Sequence, residues 1–404
     1  MTWTETTLGA IAPFSYGKSL PQSERKSGTV PVYGSGGITG FHNEALIDGP
    51  ACVIGRKGSV GRTYFANGPS WPIDTTFYTH GSNVIDLDYL YFLLQTLPLQ
   101  ESSDSAVPGL NRDYAHSLNV RIPDKCVQQR IANTLKSLDS KICINSEISS
   151  TLETIAQTIF KSWFTDFDPV HAKARGEQPD GMDAETAELF PDSFEESEAG
   201  LIPAGWHLSD VGSTLRVLGG STPSTSQPEY WDGPHQWTTP KDMSALSGLI
   251  SLSSSRRLTD EGLAKINSGL LDKDSILMSS RAPIGYVAIA DSPTAVNQGI
   301  IAISPTDSFH PLYLANWVKE AMPEIESRAG GSSFAEIGKA SFRTLPFLIP
   351  TNAVLKAFRE VAEPMLGQLK MLAHQNRTLK GIRDTLLPRL ISGELEIPEE
   401  LWVD

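Results

Sequence analysis

In the first half of the sequence, the residues best suited to chemistry are cations beside turns rich in glycine and serine. Tyr33 to Gly37 and Gly55 to Gly61 are two such turns. Backbone amides in these turns and neighbouring cationic side chains can both approach phosphate. We therefore predict phosphate or base contact for this group, with the alternative that the glycines only let the chain turn. Its members are Lys18, Ser19, Arg25, Lys26, Tyr33, Ser35, Arg56, Lys57, Ser59 and Arg62.

The second half carries a different set of polar residues. Lys241 follows the segment Trp237 to Pro240, Arg281 precedes a turn, and Asn297 follows that turn. Arginine binds guanine, and asparagine or glutamine binds adenine, through paired hydrogen bonds in the major groove. These residue types therefore suit base reading. The predicted set is Thr239, Lys241, Ser279, Ser280, Arg281, Tyr286, Asn297 and Gln298.

The sequence does not contain the common motifs of catalysis. A nucleotide-binding loop requires Gly-x-x-x-x-Gly-Lys-Ser/Thr, but Ala12 holds the first glycine position before Gly17-Lys18-Ser19. The sequence also lacks the Asn/Asp-Pro-Pro-aromatic tetrad of amino-methyltransferases, a His-Glu-x-x-His pair and a cysteine pair with zinc spacing. We expect a binding protein with no catalytic residue, metal or cofactor of its own.

The net charge of -14 argues at first against a nucleic-acid partner, because phosphate binding leaves a basic footprint. Most of the excess lies in two segments. Residues 166–198 contain eleven acidic and two basic residues, and residues 394–404 contain five acidic residues and no basic one. The remainder is nearly balanced, which permits local basic surfaces.

Length and cysteine content narrow the class of protein further. A chain of 404 residues exceeds the size at which one core keeps growing, so two or more domains are expected. No apolar run approaches the roughly 20 residues that cross a bilayer. The first residues do not resemble a secretion signal. Because Cys52, Cys126 and Cys143 form no disulfide framework, we expect a reducing cytoplasm.

The sequence is similar to itself at a nearly constant offset. Trp3, Leu8 and Gly9 match Trp206, Val211 and Gly212 at an offset of 203 residues. Residues 53–61 match 277–285 at 224, and residues 118–123 match 345–350 at 227. The growing offset indicates one insertion in the second copy, and the shared order of the matches predicts an internal duplication.

Each copy ends in a long helical pattern. Apolar residues recur every seven positions over Val127 to Phe164 and over Val354 to Ile391, which predicts two coiled-coil helices. Asn145 and Asn376 lie near the middle of these patterns, where a polar residue can fix the register of paired helices or simply lie on a solvated edge. Pro364 is expected to kink or restart the second helix.

These patterns predict an α+β fold with two similar mixed α/β domains separated by two long helices. Short β-type runs such as Cys52 to Ile54 and Ser275 to Met278 alternate with turns, and Leu312 to Glu320 is helical in pattern. Prolines and acidic residues predict a linker with little regular structure between the two copies. The predicted segments are 1–123 and 201–350 for the domains, 124–165 and 351–393 for the helices, 166–200 for the linker and 394–404 for an acidic tail.

Several stretches of the sequence resemble the specificity subunit of type I restriction-modification systems. In the first domain these are SYGKSLPQS, VPVYGSGGITGFHNEAL, VIGRKGSVG and WPIDTTFY. In the second they are GGSTPSTSQPEYWDG, TPKDMS, ILMSSRAPIGYVAIA and NQGI. The helices and their junctions resemble the family in QQRIANTLKSLDSKI, FKSWFTDFDPV, LIPAGW and LLPRLISGEL. The resemblance covers nearly the whole chain.

The resemblance implies two target-recognition domains that each read half of a bipartite, asymmetric site in double-stranded DNA. It also implies that the two helices pair antiparallel as a coiled coil that sets the gap between the half-sites. Two modification subunits carrying S-adenosylmethionine would methylate adenine, and restriction subunits would use ATP and magnesium. The alternative is a coiled-coil scaffold that binds proteins and has no role on DNA.

Apolar residues near the helix ends are candidates for docking the modification subunits. The alternative for these residues is packing against the domains of this chain. The candidates are Phe160, Trp163, Phe164, Leu386, Leu387 and Leu390.

Overall fold

The computed structural model describes residues 2–100, 109–198, 200–330 and 335–398. The chain divides into two compact units, Met1–Ile142 with Thr378–Asp404, and Cys143–Arg377. Each unit therefore combines one globular part with portions of both long helices. Within the described ranges, no helix has the length and apolar character needed to span a membrane.

The globular part of the first unit, residues 3–123, is called globule 1. It alternates short strands with short helices and leads directly into the first long helix. Its elements are β1 (Trp3–Thr7), α1 (Leu8–Ile11), β2 (Ser15–Tyr16), β3 (Val30–Gly34), β4 (Gly37–His42), β5 (Ala51–Gly55), β6 (Thr63–Ala66), β7 (Trp71–Pro72), β8 (Thr76–Thr79), α2 (Leu87–Thr96), α3 (Arg112–Ser117), β9 (Asn119–Pro123) and α4 (Lys125–Phe164).

Three sheets organise globule 1. The largest has the antiparallel order β2-β8-β5-β6. The second has the order β4-β3-β7, in which β3 pairs antiparallel with β4 and parallel with β7. In the third, β1 pairs antiparallel with β9. The central strand β5 is buried along its whole length, as expected for a short apolar run rich in β-branched residues.

The second unit contains a second globular part, residues 207–349, which is called globule 2. Short elements precede it and the second long helix follows it. The elements are α5 (Asp168–Ala174), α6 (Ala184–Glu188), β10 (Phe194–Ser197), β11 (Gly200–Pro203), β12 (His207–Asp210), α7 (Val211–Thr214), β13 (Val217–Gly219), β14 (Trp231–Thr238), α8 (Pro240–Ser244), β15 (Ile250–Ser251), β16 (Arg256–Leu258), α9 (Asp260–Leu263), β17 (Ile276–Ser280), β18 (Ile284–Ala290), β19 (Thr294–Val296), β20 (Ile300–Ile303), α10 (Pro311–Glu320), α11 (Met322–Ser327), α12 (Lys339–Arg343), β21 (Pro346–Ile349) and α13 (Asn352–Ser392).

The predicted duplication is confirmed by the sheet topology. In globule 2 the order β13-β20-β17-β18 repeats β2-β8-β5-β6, and β16-β14-β19 repeats β4-β3-β7 with the same parallel pair. The pair β12-β21 repeats β1-β9. The insertion indicated by the sequence lies between β14 and β16, where globule 2 adds α8 and β15 in place of the short turn between β3 and β4.

The duplication extends to the contacts of single residues. The amide of Leu8 donates to the carbonyl of Leu118 at 2.9 Å, and that of Val211 donates to the carbonyl of Leu345 at 3.0 Å. A Cβ atom on Gly9 would lie 2.6 Å from the His116 Cβ. Because this distance is shorter than any van der Waals contact, only glycine allows α1 to approach α3 so closely.

The two long helices are confirmed. Helix α4 has 40 residues and α13 has 41, and both begin two residues before the heptad patterns and one residue after the predicted segment bounds, 124 and 351. At ~1.5 Å per residue, each is about 60 Å long. The expected restart at Pro364 is wrong, since α13 continues through this position. A proline removes one backbone donor, while the bonds on either side can hold the helix together.

The two long helices contact each other in both units and run antiparallel in the second. In the second unit Asn145 contacts Asn376, with 3.0 Å between Nδ2 and Oδ1, and Phe160 lies near Phe358, with 6.3 Å between ring centroids. Residue numbers therefore rise along one helix while they fall along the other, as in an antiparallel pair. In the first unit the helices are joined by an ion pair of 2.8 Å between Asp139 and Arg383.

The expectation of little regular structure in residues 166–200 is wrong for the described part of that segment. It contains α5, α6 and the hairpin β10-β11. Lys173 Nζ donates to the carbonyls of Ala187, at 3.0 Å, and Phe190. The buried Phe190 ring packs on Trp163 at a centroid distance of 5.2 Å. A few apolar residues thus fold this acidic segment against the end of α4, which average composition does not reveal.

Candidate nucleic-acid interface

The turn after β5 places the first cations. The amide of Gly61 donates to the Gly55 carbonyl at 2.8 Å, which closes the turn, and Gly58 and Gly61 adopt φ values of 79° and 75°. Side chains rarely tolerate such positive φ angles, so these glycines are needed for the turn itself. The alternative from the sequence, that the glycines let the chain turn, is therefore confirmed for the loop that carries Arg56 and Lys57. Contact of these two residues with phosphate or base stays a prediction.

Several of the predicted cations of globule 1 are brought together by backbone hydrogen bonds. The amides of Arg56 and Lys57 donate to the Thr75 carbonyl at 2.9 and 3.2 Å. The amide of Lys18 donates to the Pro72 carbonyl at 3.0 Å in the same β7-β8 segment. One loop cluster thus carries all three cations. The side chains of Lys18 and Lys57 are exposed, and that of Arg56 is half-buried.

Two residues of this cluster were missed by the sequence analysis. The guanidinium carbons of Arg56 and Arg112 lie 5.1 and 5.2 Å from the centre of the Tyr16 ring. Arg112 is 56 positions from Arg56, so no local pattern links them. The duplication offered a signal, since the offset of 227 aligns Arg112 with another cation, Lys339.

The remaining candidates of globule 1 differ in accessibility. Tyr33 is largely buried against Val53, and the loss of solvent raises its pKa. Contact of its side chain with DNA stays a prediction. Arg25 donates from Nη1 to the Thr39 carbonyl at 2.7 Å and thereby fixes β4. The other candidates are exposed or half-buried: Ser19, Lys26, Ser35, Ser59 and Arg62.

In globule 2 the two predicted serines have a structural role. Ser279 and Ser280 are buried. Ser279 Oγ donates to the Pro283 carbonyl at 2.9 Å and accepts from the Tyr286 amide at 2.8 Å. Their predicted contacts with DNA are wrong, because both side chains are buried and the Ser279 hydroxyl closes the β17-β18 turn from inside. The side chain of Tyr286 is exposed on the same turn.

The remaining candidates of globule 2 meet around Gly299. A Cβ atom there would lie 3.1 Å from Pro240 Cγ, 3.3 Å from Arg281 Nε and 3.3 Å from Asn297 Oδ1. The start of α8 therefore lies beside the two base-reading candidates, Arg281 and Asn297. Helix α8 also carries the exposed Lys241. Asn297 Oδ1 accepts from the Gly299 amide at 2.9 Å.

Three more of these side chains already have partners within the chain. Arg281 Nη1 lies 3.6 Å from Glu336 Oε2, and Gln298 accepts a hydrogen bond from the Thr222 hydroxyl. Thr239 forms the N-cap of α8, where its Oγ1 accepts from the amide of Asp242 at 3.2 Å. Arg281 and Gln298 must therefore exchange partners if they contact DNA.

The candidates for partner docking lie in cores. Phe160, Trp163 and Phe164 pack with Tyr313 and Phe358, and Phe160 has only 2% of its surface exposed. For these three, the alternative of packing within the chain is confirmed and the docking prediction is wrong, because buried rings cannot contact a partner. In the first unit Leu390 is also buried, and Leu386 and Leu387 are half-buried against the same core.

The chain thus contains two copies of one globule, each with cationic or amide side chains around its turns, and two long helices that pair. No described group of His, Cys, Asp or Glu side chains is arranged to hold a metal ion. The class that fits is the sequence-reading component of a DNA-modifying system.

The chain belongs to the family of the type I restriction modification DNA specificity domain, whose model matches residues 1–154 and 203–353. It is 28% identical over 362 residues to the specificity subunit of the type I restriction enzyme HindI of Haemophilus influenzae, with 78% of each chain covered. It is 36% identical over 191 residues to the MjaIX specificity subunit of Methanocaldococcus jannaschii, covering 47% of this chain and 44% of that one. This chain is therefore a type I specificity subunit, which recognises DNA sequence.

A solved structure has a similar fold. The S subunit of a type I restriction-modification system from M. genitalium aligns with a TM-score of 0.57 at 16% identity, and the alignment covers 96% of both chains. At this identity the likeness concerns the fold alone.

Proposed function

We propose that this subunit reads a bipartite, asymmetric site in double-stranded DNA, one half with each globule. The observation that carries the proposal is the repeated topology with different side chains at equivalent positions. The turn after β5 presents Lys57 opposite Gly109, and the turn after β17 presents Arg281 opposite Glu336. Equal frameworks with unequal side chains suit two half-sites of different sequence.

Exposed polar side chains at the two loop clusters make the DNA contacts. In globule 1, Lys18, Arg56 and Lys57 bind phosphate or base edges, with Ser19, Lys26 and Arg62 at the margin. In globule 2, Arg281 and Asn297 are the base-reading residues, and Lys241 contributes charge. The proposed recognition domains are residues 1–123 and 201–350, and the proposed spacer consists of residues 124–165 and 351–393.

The paired helices set the distance between the half-sites. Half-sites on one face of B-DNA lie about 34 to 36 Å apart, and helices of about 60 Å are long enough to hold two readers at such a distance. Insertion or deletion of a heptad in both helices should therefore change the gap in the recognised motif while both half-sites persist.

The chemistry takes place on partner subunits. Two modification subunits carrying S-adenosylmethionine methylate adenine, and restriction subunits use ATP and magnesium, while this chain has no catalytic role. A cytoplasmic location suits the three free cysteines, because a reducing compartment preserves thiols.

Mapping methylated adenines tests the proposal. The chain is purified with its modification subunits and incubated with genomic DNA and S-adenosylmethionine, and the control lacks the chain. A single split motif that depends on the chain is expected. Affinity for DNA should also fall steeply with salt, as phosphate neutralisation requires. Random methylation, or binding insensitive to salt, would instead identify a protein scaffold.

A further inference from the structure

We infer that Tyr16 holds Arg56 and Arg112 as a paired binding site for a phosphate of the DNA backbone. This inference rests on the proposed function and assigns a specific role to one loop cluster of globule 1. Tyr16 is a positioning residue here, and the two guanidinium groups contact the ligand.

The ring of Tyr16 is held in place yet remains accessible. It lies on β2, an edge strand of the largest sheet in globule 1. The buried ring of Phe77 packs on it at a centroid distance of 4.9 Å, while half of Tyr16 is exposed to solvent. The core thus fixes a ring that reaches the surface.

Two cations share this ring. Both guanidinium carbons lie about 5 Å from its centre, so they are at most roughly 10 Å from one another. Their backbones are also joined, because the amide of Leu110 donates to the Arg56 carbonyl at 2.8 Å. Asn111 then caps α3 and accepts from the Tyr114 amide at 3.1 Å. Both arginines therefore start from fixed backbone positions.

The positive charge of this pair is poorly compensated within the described residues. Arg56 Nη1 donates to the backbone carbonyl of Asp74 at 3.1 Å, which carries no net charge. Among the described residues, Arg112 Nε is buried without a hydrogen-bond partner, and the carboxylate that pairs with it, that of Asp113, lies 3.8 Å away with 89% of its side chain exposed. Two like charges near one ring repel each other, and an anion between them offsets that repulsion.

A phosphate fits this pair better than a base does. Guanidinium groups donate paired hydrogen bonds to phosphate oxygens, whose negative charge strengthens these bonds. A guanine edge can accept from one arginine, but it carries no charge to offset two. The pair should therefore hold globule 1 in place on the duplex without selecting a base.

Globule 2 lacks this arrangement. At the offsets of the duplication, Tyr16 corresponds to Gly219, Arg56 to Ser280 and Arg112 to Lys339. One cation is thus kept, but the ring that could position it is absent. The phosphate site is accordingly specific to globule 1.

The test measures how affinity depends on salt, using the full chain in complex with its modification subunits and a duplex that carries the mapped motif. Arg112→Ala should weaken binding about tenfold, as for a lost charged hydrogen bond. It should also lower the slope of log K against log salt by about 0.9, the value for one phosphate contact. Tyr16→Ala should reproduce both effects, and Tyr16→Phe should restore both values because the ring is kept.

Arg121→Ala provides a matched control. Arg121 also lies over an aromatic ring, that of Trp3 at 5.3 Å, and is an exposed residue of β9 in the same unit. This variant should keep the wild-type slope. An equal loss of slope in Arg121→Ala would overturn the inference, since it would reflect net charge alone.

Two further outcomes would overturn the inference while leaving the proposed function intact. One is an unchanged slope in Arg112→Ala, and the other is a changed base in the first half of its methylated motif, which would show base reading. If the wild-type complex itself showed neither salt-dependent binding nor a split motif, the proposed function would fail instead.

Discussion

Globules 1 and 2 contain the same isolated β-bridge between two loops, but the residues that form it carry different side chains. Lys57 pairs with Gly109 in globule 1, and Arg281 pairs with Glu336 in globule 2. The adjoining amides of Leu110 and Ile337 donate to equivalent carbonyls at 2.8 and 3.1 Å. The backbone framework is thus constant, and the bridge partner of the cation is a glycine in globule 1 and a carboxylate residue in globule 2. Side chains on a shared framework are therefore enough to give two readers different chemistry.

A second difference concerns the contact between the last helix of each globule and the segment that follows its first helix. This contact is called the joint of that globule. In globule 1 the Phe14 amide donates to His116 Nε2 at 2.9 Å. In globule 2 Arg343 Nη2 donates to the Val217 carbonyl at 2.8 Å. The same joint is closed by a histidine, whose charge depends on pH, in one copy and by an arginine, which is permanently charged, in the other.

The largest expected effect is a loss of stability when a side chain is removed from the aromatic core of the second unit rather than from the surface. Phe160→Ala should lower the free energy of unfolding of that unit by about 3–5 kcal/mol, because a buried ring is lost and a cavity remains. Urea denaturation of the chain checks this value. An unchanged stability together with loss of modification-subunit binding would mean that Phe160 docks a partner after all.

A smaller effect distinguishes how the helices are joined in the two units. Asn145→Ala removes the bonds from Nδ2 to Asn376, at 3.0 Å, and Gln375, at 3.2 Å, inside the second unit. The buried amide left behind should cost about 1–3 kcal/mol in unfolding experiments. Arg383→Ala breaks a partly exposed ion pair in the first unit and should cost at most about 1 kcal/mol. A reversed ranking would contradict this account of the helix pair.

Exchanging the carboxylate between the copies tests the comparison itself. Glu336→Gln frees Arg281 and should strengthen DNA binding, whereas Gly109→Glu places an acid opposite Lys57 and should weaken it. Each change should reach about fivefold at most, since exposed ion pairs contribute up to about 1 kcal/mol. Fluorescence anisotropy with a duplex carrying the mapped motif measures both. Shifts in the same direction would show that the two bridges do not face DNA in equivalent ways.

The smallest effect is a pH dependence confined to the joint of globule 1. Burial, with the charge of Arg112 as a second cause, lowers the pKa of His116 below its usual 6.5. The unfolded chain therefore binds more protons here, so this contribution to stability is complete above pH 6.5 and is lost as the pH falls through the native pKa. His116→Gln should remove it.

The quantity to compare is the difference in urea midpoint between wild type and His116→Gln from pH 7.5 to 5. This difference cancels other titrating groups, such as His310, whose pKa is also lowered by burial. A difference that stays constant with pH would show that His116 does not titrate in this range.

Patterns that repeat along the chain allowed much of the fold to be predicted. Heptad spacing gave both long helices to within two residues of their starts, and the offset of similar residues gave the duplicated topology. These features are predictable because periodic burial leaves a periodic sequence. The acidic segment was harder to predict, since its fold depends on a few apolar contacts such as that of Phe190 with Trp163.

The candidate site was only partly predictable. Composition selected the cations correctly as polar loop residues, but it could not separate the exposed Lys57 from the buried Ser279. A hydroxyl group is compatible with either place, because a turn carbonyl can accept its hydrogen bond as well as a ligand can. The Tyr16 and Arg112 contact joins distant segments and becomes visible only in three dimensions.

The most direct test of the account is to give one chain two copies of the same reader. Residues Leu8 to Leu118 are replaced by Val211 to Leu345, since both segments are closed by the same backbone hydrogen bond, of 2.9 and 3.0 Å. Methylated adenines are then mapped for the complex with modification subunits. We expect a motif in which the half-site of globule 2 occurs twice. A motif that keeps its two original halves would contradict it.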